Sequence, residues 1–306
     1  MDTLIKVLVK ENFAPERILP GAPMSRYTTF RVGGRADVLV NIASANEISI
    51  ALRAAHQAGV PVTIIGNGSN LVVRDGGIRG LVLRICGSFS AVTREEGDVI
   101  HAQSGALLGA CAQFAMREGL DGLAEVAGIP GTIGGGVIMN AGAYGSDLSQ
   151  VVTRVDAVSC ATGAPVSFEG KALGFGYRRS ALMQENIVVT GVTMQLRPGD
   201  PDAIRARMED LARQRREKQP LDFPSAGSTF KRPEGLFAAK LIDDCGLRGL
   251  HVGDAQVSPK HAGFIVNTGN ATATDVLSLM ALVRKHVLDA TGVILEPEVR
   301  ILGEDA

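Results

Sequence analysis

Seven glycines stand between residues 128 and 145, in the stretch GIPGTIGGGVIMNAGAYG. Glycine loses more conformational entropy on folding than any other residue, so a dense cluster is costly unless the chain needs positive φ or close approach to its main chain. A single glycine is usually explained by a turn. Three consecutive glycines followed by NAGAYG predict instead that a ligand approaches this backbone closely.

A second glycine-rich loop, GNGSN (residues 66–70), follows the predicted strand VTII. Neither loop is a standard nucleotide motif. The nearest Walker A candidate, at residues 163–172, has the wrong spacing, and GNGSNL lacks the third glycine and the following helix of a dinucleotide fingerprint. Two separated loops that direct main-chain N–H groups at phosphate oxygens suit one pyrophosphate.

Composition excludes several classes of function. The chain has 306 residues, 45% of them hydrophobic, and a formal net charge of -1, so no overall field attracts nucleic acid or an anionic membrane. The N-terminus lacks the apolar core of a signal peptide, and no run is long enough for a membrane span. We expect a globular cytoplasmic protein.

Cysteine and histidine spacing argues against metal and disulfide chemistry. The four cysteines have no C-x-x-C pair and are expected to be reduced thiols, and the five histidines have no metal-ligand spacing. No metal is therefore predicted.

The order of predicted elements indicates an α+β protein. Ser44 begins a helix that ends at Gly59, Pro201 opens another, and a long helix follows Thr272, while VILEPEVRIL is the predicted final strand. Hairpins are predicted at AVTREEGDVIHAQSG and at VTRVDAVSCATGAPVSF. These blocks suggest three domains, at residues 1–86, 87–197 and 198–306.

Six motifs occur in the order typical of one family. They are TTFRVGG, GNGSN, the glycine cluster, GYRRS (176–180), AGSTFKRP (226–233) and LEPEV (295–299). Together they resemble the UDP-N-acetylenolpyruvoylglucosamine reductases (MurB) of bacterial peptidoglycan synthesis over nearly the whole chain. The resemblance implies an FAD-binding fold of the vanillyl-alcohol oxidase type, with two α+β subdomains and a C-terminal α+β substrate-binding domain.

The resemblance also implies a reaction. NADPH reduces FAD, and hydride then passes to the enolpyruvyl group of the substrate to give UDP-N-acetylmuramate. Neither glycine loop contains a His or Cys for covalent attachment, so noncovalent FAD is expected. A branched side chain at Gly134 is expected to displace the flavin from a folded protein. The expected cofactor-binding residues are Gly66, Asn67, Gly68, Ser69, Asn70, Gly128, Ile129, Pro130, Gly131, Thr132, Gly134, Gly135, Asn140, Ala141 and Gly142.

Three residues match the family's catalytic positions. Arg178 matches the arginine at the substrate carboxylate, Ser228 the proton donor at C2, and Glu298 a hydrogen-bonding or acidic partner near C2. From the residues alone, a surface position is the better explanation of Arg178, as of its neighbour Arg179, and a turn hydroxyl is the better explanation of Ser228. The motif match reverses the interpretation of Arg178. An extended strand would place Glu296 on the same face as Glu298, and we interpret Glu296 as solvated.

Substrate recognition is assigned to Tyr177, Lys218, Lys231 and Arg232. Lys218 occupies the position of a family lysine that faces the uridine diphosphate, but the run LARQRREKQP is equally explained as a solvated basic helix end. Lys231 is a candidate for stabilising the Ser228 alkoxide. Arg232 departs from the family, which has an asparagine near the uracil there. With only three tyrosines, the chain lacks the tyrosine of the loop that covers substrate in the longer enzymes, so it resembles the short type II form.

Two other classes of function stay open at this stage. One is a different FAD-dependent oxidoreductase of the same fold, such as a hydroxy-acid or sugar oxidase, which would release hydrogen peroxide. The other is a non-catalytic nucleotide-binding protein. The expected partner is a small-molecule substrate, with no nucleic acid and no membrane, and a monomer is the default expectation.

Overall fold

The computed structural model describes residues 1–306. Its helices are α1 (Asp2–Lys10), α2 (Ala45–Gln57), α3 (Leu108–Arg117), α4 (Ile133–Ile138), α5 (Pro201–Lys218), α6 (Ala238–Asp244) and α7 (Ala273–Thr291). Its strands are β1 (Ile18–Pro20), β2 (Ala36–Asn41), β3 (Val62–Ile65), β4 (Leu71–Val73), β5 (Ile78–Arg84), β6 (Val92–Arg94), β7 (Val99–Gln103), β8 (Leu120–Asp121), β9 (Gly142–Ala143), β10 (Ser146–Asp147), β11 (Val152–Ser159), β12 (Pro165–Glu169), β13 (Ile187–Gln195), β14 (Arg197–Pro198), β15 (His251–Val252), β16 (Ala255–Val257), β17 (Ile265–Asn267) and β18 (Arg300–Leu302).

The chain forms two compact units. Unit 1 contains residues 1–20, 38–67 and 80–213, and unit 2 contains residues 21–37, 68–79 and 214–306. None of the helices combines the length and the apolar composition needed to cross a membrane. All four cysteines are free thiols, and no group of three or more His, Cys, Asp and Glu side chains is arranged as a metal site.

The first sheet of unit 1 has the strand order β1-β2-β5-β3, with β3 parallel to β5 and β1 antiparallel to β2. Helices α1 and α2 contribute Leu4, Leu8, Ile48 and Leu52 to the same apolar core. The predicted start of α2 is confirmed, since the Ser44 hydroxyl accepts a hydrogen bond from the N–H of residue 47 at 3.2 Å.

The second sheet of unit 1 is antiparallel, with the order β12-β11-β13-β7-β6. Its hairpins β6–β7 and β11–β12 lie where the alternating pattern predicts them. Residues of α3 and α4 share one core with this sheet, including Leu108, Cys111, Ile133 and Val137. Burial raises the pKa of the Cys111 thiol to about 12, so this cysteine behaves as a core residue.

Unit 2 packs α6 and α7 against the antiparallel sheet β15-β16-β17. The predicted helix after Thr272 is confirmed, and Thr272 and Asp275 form a reciprocal capping box. The carboxylate of Asp75 also accepts the N–H groups of Ala273 at 2.9 Å and Thr274 at 2.8 Å. These bonds lower the pKa of Asp75 although its burial acts in the opposite direction.

The predicted final strand is wrong for most of its length. Only Arg300–Leu302 forms a strand, parallel to β4. Residues 296 and 298 instead bond to the segment after Ser228, and Pro297 lies between them opposite Phe230, where no N–H is needed. Exposure still alternates along residues 294–300, and Glu296 is 70% exposed, which confirms that it is solvated.

Three apolar cores are distinct in the structure. One contains α1 and α2, another α3 and α4, and the third α6 and α7. The domain boundaries at 86/87 and 197/198 stay a prediction.

Candidate active site

The two glycine-rich loops meet in unit 1. The Asn67 side-chain amide donates to the carbonyl of Pro130 at 2.7 Å. A Cβ on Gly66 would lie 2.4 Å from the Thr132 Oγ1, so only glycine lets the chain pass this hydroxyl. The structure therefore brings together residues 66–67 and 130–132, which are far apart in sequence.

The glycine cluster contains a short helix that sequence reasoning did not predict. Thr132 caps α4, and its Oγ1 accepts the N–H of Gly135 at 3.4 Å. Glycine in a helix costs about 1 kcal/mol relative to alanine, so packing must favour it here. A Cβ on Gly134 would lie 2.7 Å from the Ser104 Cβ, and one on Gly136 would lie 3.2 Å from Leu148. These two glycines allow α4 to pack closely against its own unit.

The expected effect of substituting Gly134 is therefore wrong. Its missing Cβ would face Ser104, and a branched side chain there would disturb the fold before it met any ligand. Gly135 is different, because it is exposed and a Cβ on it would meet only the Thr132 Oγ1, at 3.6 Å. Gly135, and not Gly134, is the position at which a side chain can be added on the open face of α4.

The first N–H groups of α4 already have acceptors in the protein. Ile133 donates to the Ala106 carbonyl at 2.7 Å, and Gly134 donates to the Ser104 carbonyl at 2.9 Å. Helix N-termini usually leave such groups for a side chain, water or an anion. The α4 N-terminus is therefore no anion site, although the preceding N–H groups of Gly131 and Thr132 donate no hydrogen bond within the protein.

The loop at residues 67–70 has the opposite property. The four consecutive N–H groups of Asn67, Gly68, Ser69 and Asn70 donate no hydrogen bond within the protein. Gly68 has φ +67°, and in unit 2 a Cβ on it would lie 2.1 Å from the Tyr27 carbonyl oxygen. Successive unpaired N–H groups beside a left-handed residue form a concave anion site. These donors fit the pyrophosphate of a dinucleotide.

Arg178 lies in a tight turn of unit 1. Gly176 and Arg179 exchange two backbone hydrogen bonds, of 3.0 and 3.2 Å, with Tyr177 and Arg178 between them. Arg178 has φ +54°, in the left-handed region that turns usually fill with glycine or asparagine. Strain of this kind costs on the order of 1–3 kcal/mol and occurs preferentially at functional sites. Arg179 is exposed, as expected.

Two predicted cofactor-binding residues hold this turn. The buried Asn140 side chain donates to the Gly176 carbonyl at 3.0 Å, and the Arg178 Nη2 donates to the Gly142 carbonyl at 3.1 Å. The Arg178 guanidinium lies 5.2 Å from the centre of the Tyr177 ring, and Tyr177 is 51% exposed. The glycine cluster thus positions the predicted catalytic arginine as well as the predicted flavin loop.

Ser228 lies in unit 2 on a segment that is held on both sides, before it by the buried Ala226 and after it by Thr229. Its side chain is exposed, and its hydroxyl makes no hydrogen bond within the protein. The next residue, Thr229, is 1% exposed, donates its N–H to the Gly263 carbonyl at 2.9 Å and accepts the Ile265 N–H on its Oγ1 at 3.0 Å. Sequence reasoning missed Thr229, whose only signal is its place beside Ser228.

Glu298 is adjacent to the Ser228 segment within unit 2. Its N–H donates to the Thr229 carbonyl at 2.8 Å, and its own carbonyl accepts the Asn70 side-chain amide at 3.1 Å. The structure therefore brings together three predicted site residues, Asn70, Ser228 and Glu298, through Thr229.

The candidate substrate-binding cations have different surroundings. Lys231 forms an exposed ion pair with Glu296, 3.2 Å between Nζ and Oε2, an interaction worth at most about 1 kcal/mol. The Arg232 guanidinium lies 5.1 Å from the Phe237 ring centre. Lys218 is exposed in the last turn of α5. Nothing in unit 2 joins Lys218 to the other two by a hydrogen bond.

Family models match both halves of the chain. A model for an FAD binding domain matches residues 36–169, and the model for the C-terminal domain of UDP-N-acetylenolpyruvoylglucosamine reductase matches residues 219–302. Proteins named UDP-N-acetylenolpyruvoylglucosamine reductase are similar over almost the full length. That of Clostridium novyi is 46% identical over 95% of this chain and 94% of its own, and that of Pediococcus pentosaceus is 46% identical over 97% and 98%.

Solved structures agree. The reductase of the same name (MurB) from Thermus caldophilus has a TM-score of 0.77 and 35% identity, over 93% of this chain and 97% of its own. Phl p 4.0202, a glucose dehydrogenase, has a TM-score of 0.50 and 16% identity, over 65% of this chain and 44% of its own, a likeness of fold alone. The expected fold class, with its FAD-binding part, is confirmed. The chain belongs to the UDP-N-acetylenolpyruvoylglucosamine reductase family.

Proposed function

We propose that Arg178, Ser228 and Glu298 carry out the reduction of UDP-N-acetylglucosamine enolpyruvate to UDP-N-acetylmuramate. The activity itself follows from the family: the chain is a UDP-N-acetylmuramate dehydrogenase of peptidoglycan synthesis, a flavoprotein that uses FAD and NADPH. The observation that carries the residue assignment is the exposed Ser228 hydroxyl beside the buried, bonded Thr229. We further propose that the protein acts as a monomer in the cytoplasm.

The residues fit FAD on physical grounds. The unpaired N–H groups of residues 68–70, in unit 2, are suited to a pyrophosphate. In unit 1, Gly131 and Thr132 carry two further unpaired N–H groups. Gly135 leaves the open side of α4 without a side chain. When bound, FAD would supply the hydride chemistry, with NADPH as the source of the hydride and C3 of the enolpyruvyl group as its acceptor. Binding of the substrate carboxylate and delivery of the proton are assigned to side chains of this protein.

Arg178 is assigned to the substrate carboxylate. Negative charge grows on C2 and on the carboxylate as hydride arrives at C3, so a fixed cation there lowers the barrier. The planar guanidinium suits a carboxylate better than an ammonium does. Its contacts with the Gly142 carbonyl and the Tyr177 ring hold it in place before substrate binds.

Ser228 is assigned to the proton that completes the reduction. A serine hydroxyl is a very weak acid, so it donates only to a strongly basic centre such as the carbanion at C2. The bonds to Thr229 limit movement of the hydroxyl. Glu298, whose main chain is bonded to Thr229, is assigned to a hydrogen-bonding role near C2. Hydride at C3 and a proton at C2 together saturate the double bond.

Nucleotide recognition is assigned to exposed cations and one ring. Lys218 is proposed to face the diphosphate, and Lys231 to reach substrate or the Ser228 alkoxide when its weak ion pair with Glu296 opens. Arg232 is proposed to bind at the uracil end. Tyr177, half exposed beside Arg178, is proposed to contact substrate or nicotinamide.

The visible spectrum of the purified protein tests this function. We expect the absorption of oxidised flavin, bleaching by NADPH without oxygen, and recovery of the colour when the enolpyruvyl substrate is added. Recovery only with oxygen, with release of hydrogen peroxide, would indicate an oxidase, and a protein that NADPH does not bleach would indicate a non-catalytic role. Arg178→Lys should impair recovery by substrate, whereas the matched change at the exposed neighbour, Arg179→Lys, should not.

A further inference from the structure

We propose that His261 is a positioning residue, whose neutral imidazole holds the Gly263 main chain in the place where it fixes the segment that carries Ser228. The proposal rests on the assignment of Ser228 as the proton donor. His261 touches neither substrate nor cofactor in this account and acts through Gly263 and Thr229.

The loop at residues 258–264 is closed by its own side chains. The Ser258 hydroxyl accepts the N–H groups of Lys260 and His261, each at 3.2 Å, and His261 Nδ1 accepts the N–H of Gly263 at 3.1 Å. The bond from residue 263 back to residue 261 has the spacing of an Asx-turn, in which asparagine or aspartate normally supplies the acceptor. Here the acceptor is the Nδ1 atom of an imidazole.

The loop holds the segment next to Ser228. The Gly263 carbonyl accepts the Thr229 N–H at 2.9 Å, so the peptide unit that links Ser228 to Thr229 bonds directly to the peptide unit that follows Gly263. On the other side, Gly227 has φ +77° and open space where a Cβ would lie. The restraints before it are the buried Ala226 and the Ser225 carbonyl, which accepts the Thr29 hydroxyl at 2.7 Å. The Thr229 bond is therefore the restraint nearest to the Ser228 hydroxyl in the chain.

The geometry requires the imidazole to be unprotonated at Nδ1. A backbone N–H only donates, so the bond from Gly263 uses the Nδ1 lone pair, and an imidazolium would oppose two N–H groups. Burial lowers the pKa of His261 below its usual range, although a hydrogen bond to the residue's own main chain acts in the opposite direction, and the charge of Arg248 lowers the pKa further. The imidazole edge packs on Phe264, with ring centres 4.9 Å apart.

The charged groups around the loop are otherwise engaged. Arg248 pairs with Asp243, and the Lys260 ammonium donates to the carbonyl of Arg216 at 2.6 Å. The remaining charged side chains of α6, Lys240 and Asp244, pair with each other at 2.8 Å. None of these side chains bonds to the imidazole, so burial and the charge of Arg248 favour the neutral form, and no carboxylate opposes them.

Two substitutions separate positioning from simple packing. His261→Leu keeps an apolar side chain but removes the acceptor, whereas His261→Asn places an amide oxygen close to the Nδ1 position. The control is His286→Leu, on the exposed side of α7. Each holoenzyme is examined by stopped-flow absorbance of the flavin, once with NADPH and once, after reduction, with the enolpyruvyl substrate. Amide hydrogen exchange of Thr229 gives a readout independent of activity.

We expect His261→Leu to slow the substrate half-reaction by about tenfold or more, since small misplacements of reacting groups have effects of this size. The NADPH half-reaction should stay within about twofold, and Thr229 exchange should be faster. His261→Asn should recover most of the rate, and it should lack the acid limb that we expect of the native enzyme below the ordinary histidine range. The His286 control should match the native enzyme.

Three results would overturn the proposal. They are an unchanged substrate half-reaction in His261→Leu, equal slowing of both half-reactions, and an acid limb that persists in His261→Asn. If His261→Leu does not fold, the pH profile of His261→Asn decides alone. Ser228→Ala is measured in parallel: if that change has no effect, the proton-donor assignment fails, and Thr229 exchange still decides whether His261 holds the segment.

Discussion

The two glycine-rich loops of this protein use glycine differently. In α4 the glycines make room for protein against protein, Gly134 beside Ser104, and the first helical N–H groups are bonded to carbonyls of the same unit. At residues 67–70 the glycine beside Tyr27 also makes room, but four consecutive N–H groups have no acceptor in the protein. Glycine content alone does not indicate an anion site, whereas an account of N–H partners does.

The largest effect that tests this difference is expected at α4. Gly134→Ala should destabilise the protein by about 3 kcal/mol, because its Cβ would overlap Ser104. Gly135→Ala, one residue further, should be neutral or stabilising by up to about 1 kcal/mol, since alanine favours the helix and the site is open. Urea unfolding of both variants measures the difference. Equal free energies of unfolding for the two variants would mean that close packing does not require glycine at residue 134.

A larger side chain at Gly135 tests whether the open face of α4 lies beside the cofactor. Gly135→Leu should leave the protein folded and weaken FAD binding, measured by loss of flavin on dilution. Retention of native flavin affinity would show that the open face of α4 lies away from the cofactor.

Hydrogen exchange tests the loop at residues 67–70 directly. In flavin-free protein the amides of Ser69 and Asn70 should exchange rapidly, while those of Ile133 and Gly134 are protected by their bonds to protein carbonyls. FAD at a hundred times its Kd should slow Ser69 and Asn70 by up to about 100-fold and should change Ile133 much less. Protection that appears at Ile133 and not at Ser69 would reverse the roles of the two loops.

Much of the fold could be predicted because its signals are local. Ser44 and Thr272 lie at the starts of their helices, and β3 has the predicted bounds of VTII. Local signals fail at α4, where three glycines disfavour a helix and only packing against residues such as Ser104 stabilises it. They also fail at residues 293–299, because residues 296–298 pair with the segment after Ser228 and only residues 300–302 pair with β4.

The site was predictable as residue types and not as contacts. The motifs identify Arg178, Ser228 and Glu298, but no local pattern shows that Thr229 joins the last two or that Arg178 has positive φ. Those features depend on hydrogen bonds between segments distant in sequence. For the same reason Ser104, a buried hydroxyl without a partner beneath α4, has no signal in its own neighbourhood.

The N-terminus of α7 differs from that of α4 in its hydrogen-bond acceptor. The first N–H groups of α7 donate to the Asp75 carboxylate, whereas those of α4 donate to main-chain carbonyls. Asp75→Ala should cost about 1–2 kcal/mol, the usual value for a helix cap. The pKa of Asp75 is lowered in the folded state, so its contribution is complete above the unfolded value near 3.9 and is lost as pH falls through the folded value. Urea unfolding should therefore separate native protein and variant at pH 7 and bring them closer below about pH 4. Asp222→Ala, at an exposed position, is the control, and a pH-independent difference would contradict the assignment.

The smallest effect concerns positive φ at a residue other than glycine. Arg178→Gly and Arg178→Ala both remove the guanidinium, but only glycine accepts φ +54° without strain. Arg178→Gly should therefore be more stable than Arg178→Ala by about 1 kcal/mol, and both should lose activity. Thermal unfolding of the two variants measures this difference in stability. An alanine variant as stable as the glycine variant would show that the turn changes its backbone conformation and avoids the strain.

Stopped-flow absorbance of the flavin in Ser228→Ala shows whether Ser228 is the proton donor, because it separates the two half-reactions. Reduction by NADPH should stay within about twofold of native, while reoxidation by the enolpyruvyl substrate should slow by about 10²–10⁴-fold, the usual contribution of a general acid. Ser228→Cys, with a more acidic group, should recover part of that loss. Equal slowing of both half-reactions, or of neither, would contradict the assignment of Ser228 as the proton donor.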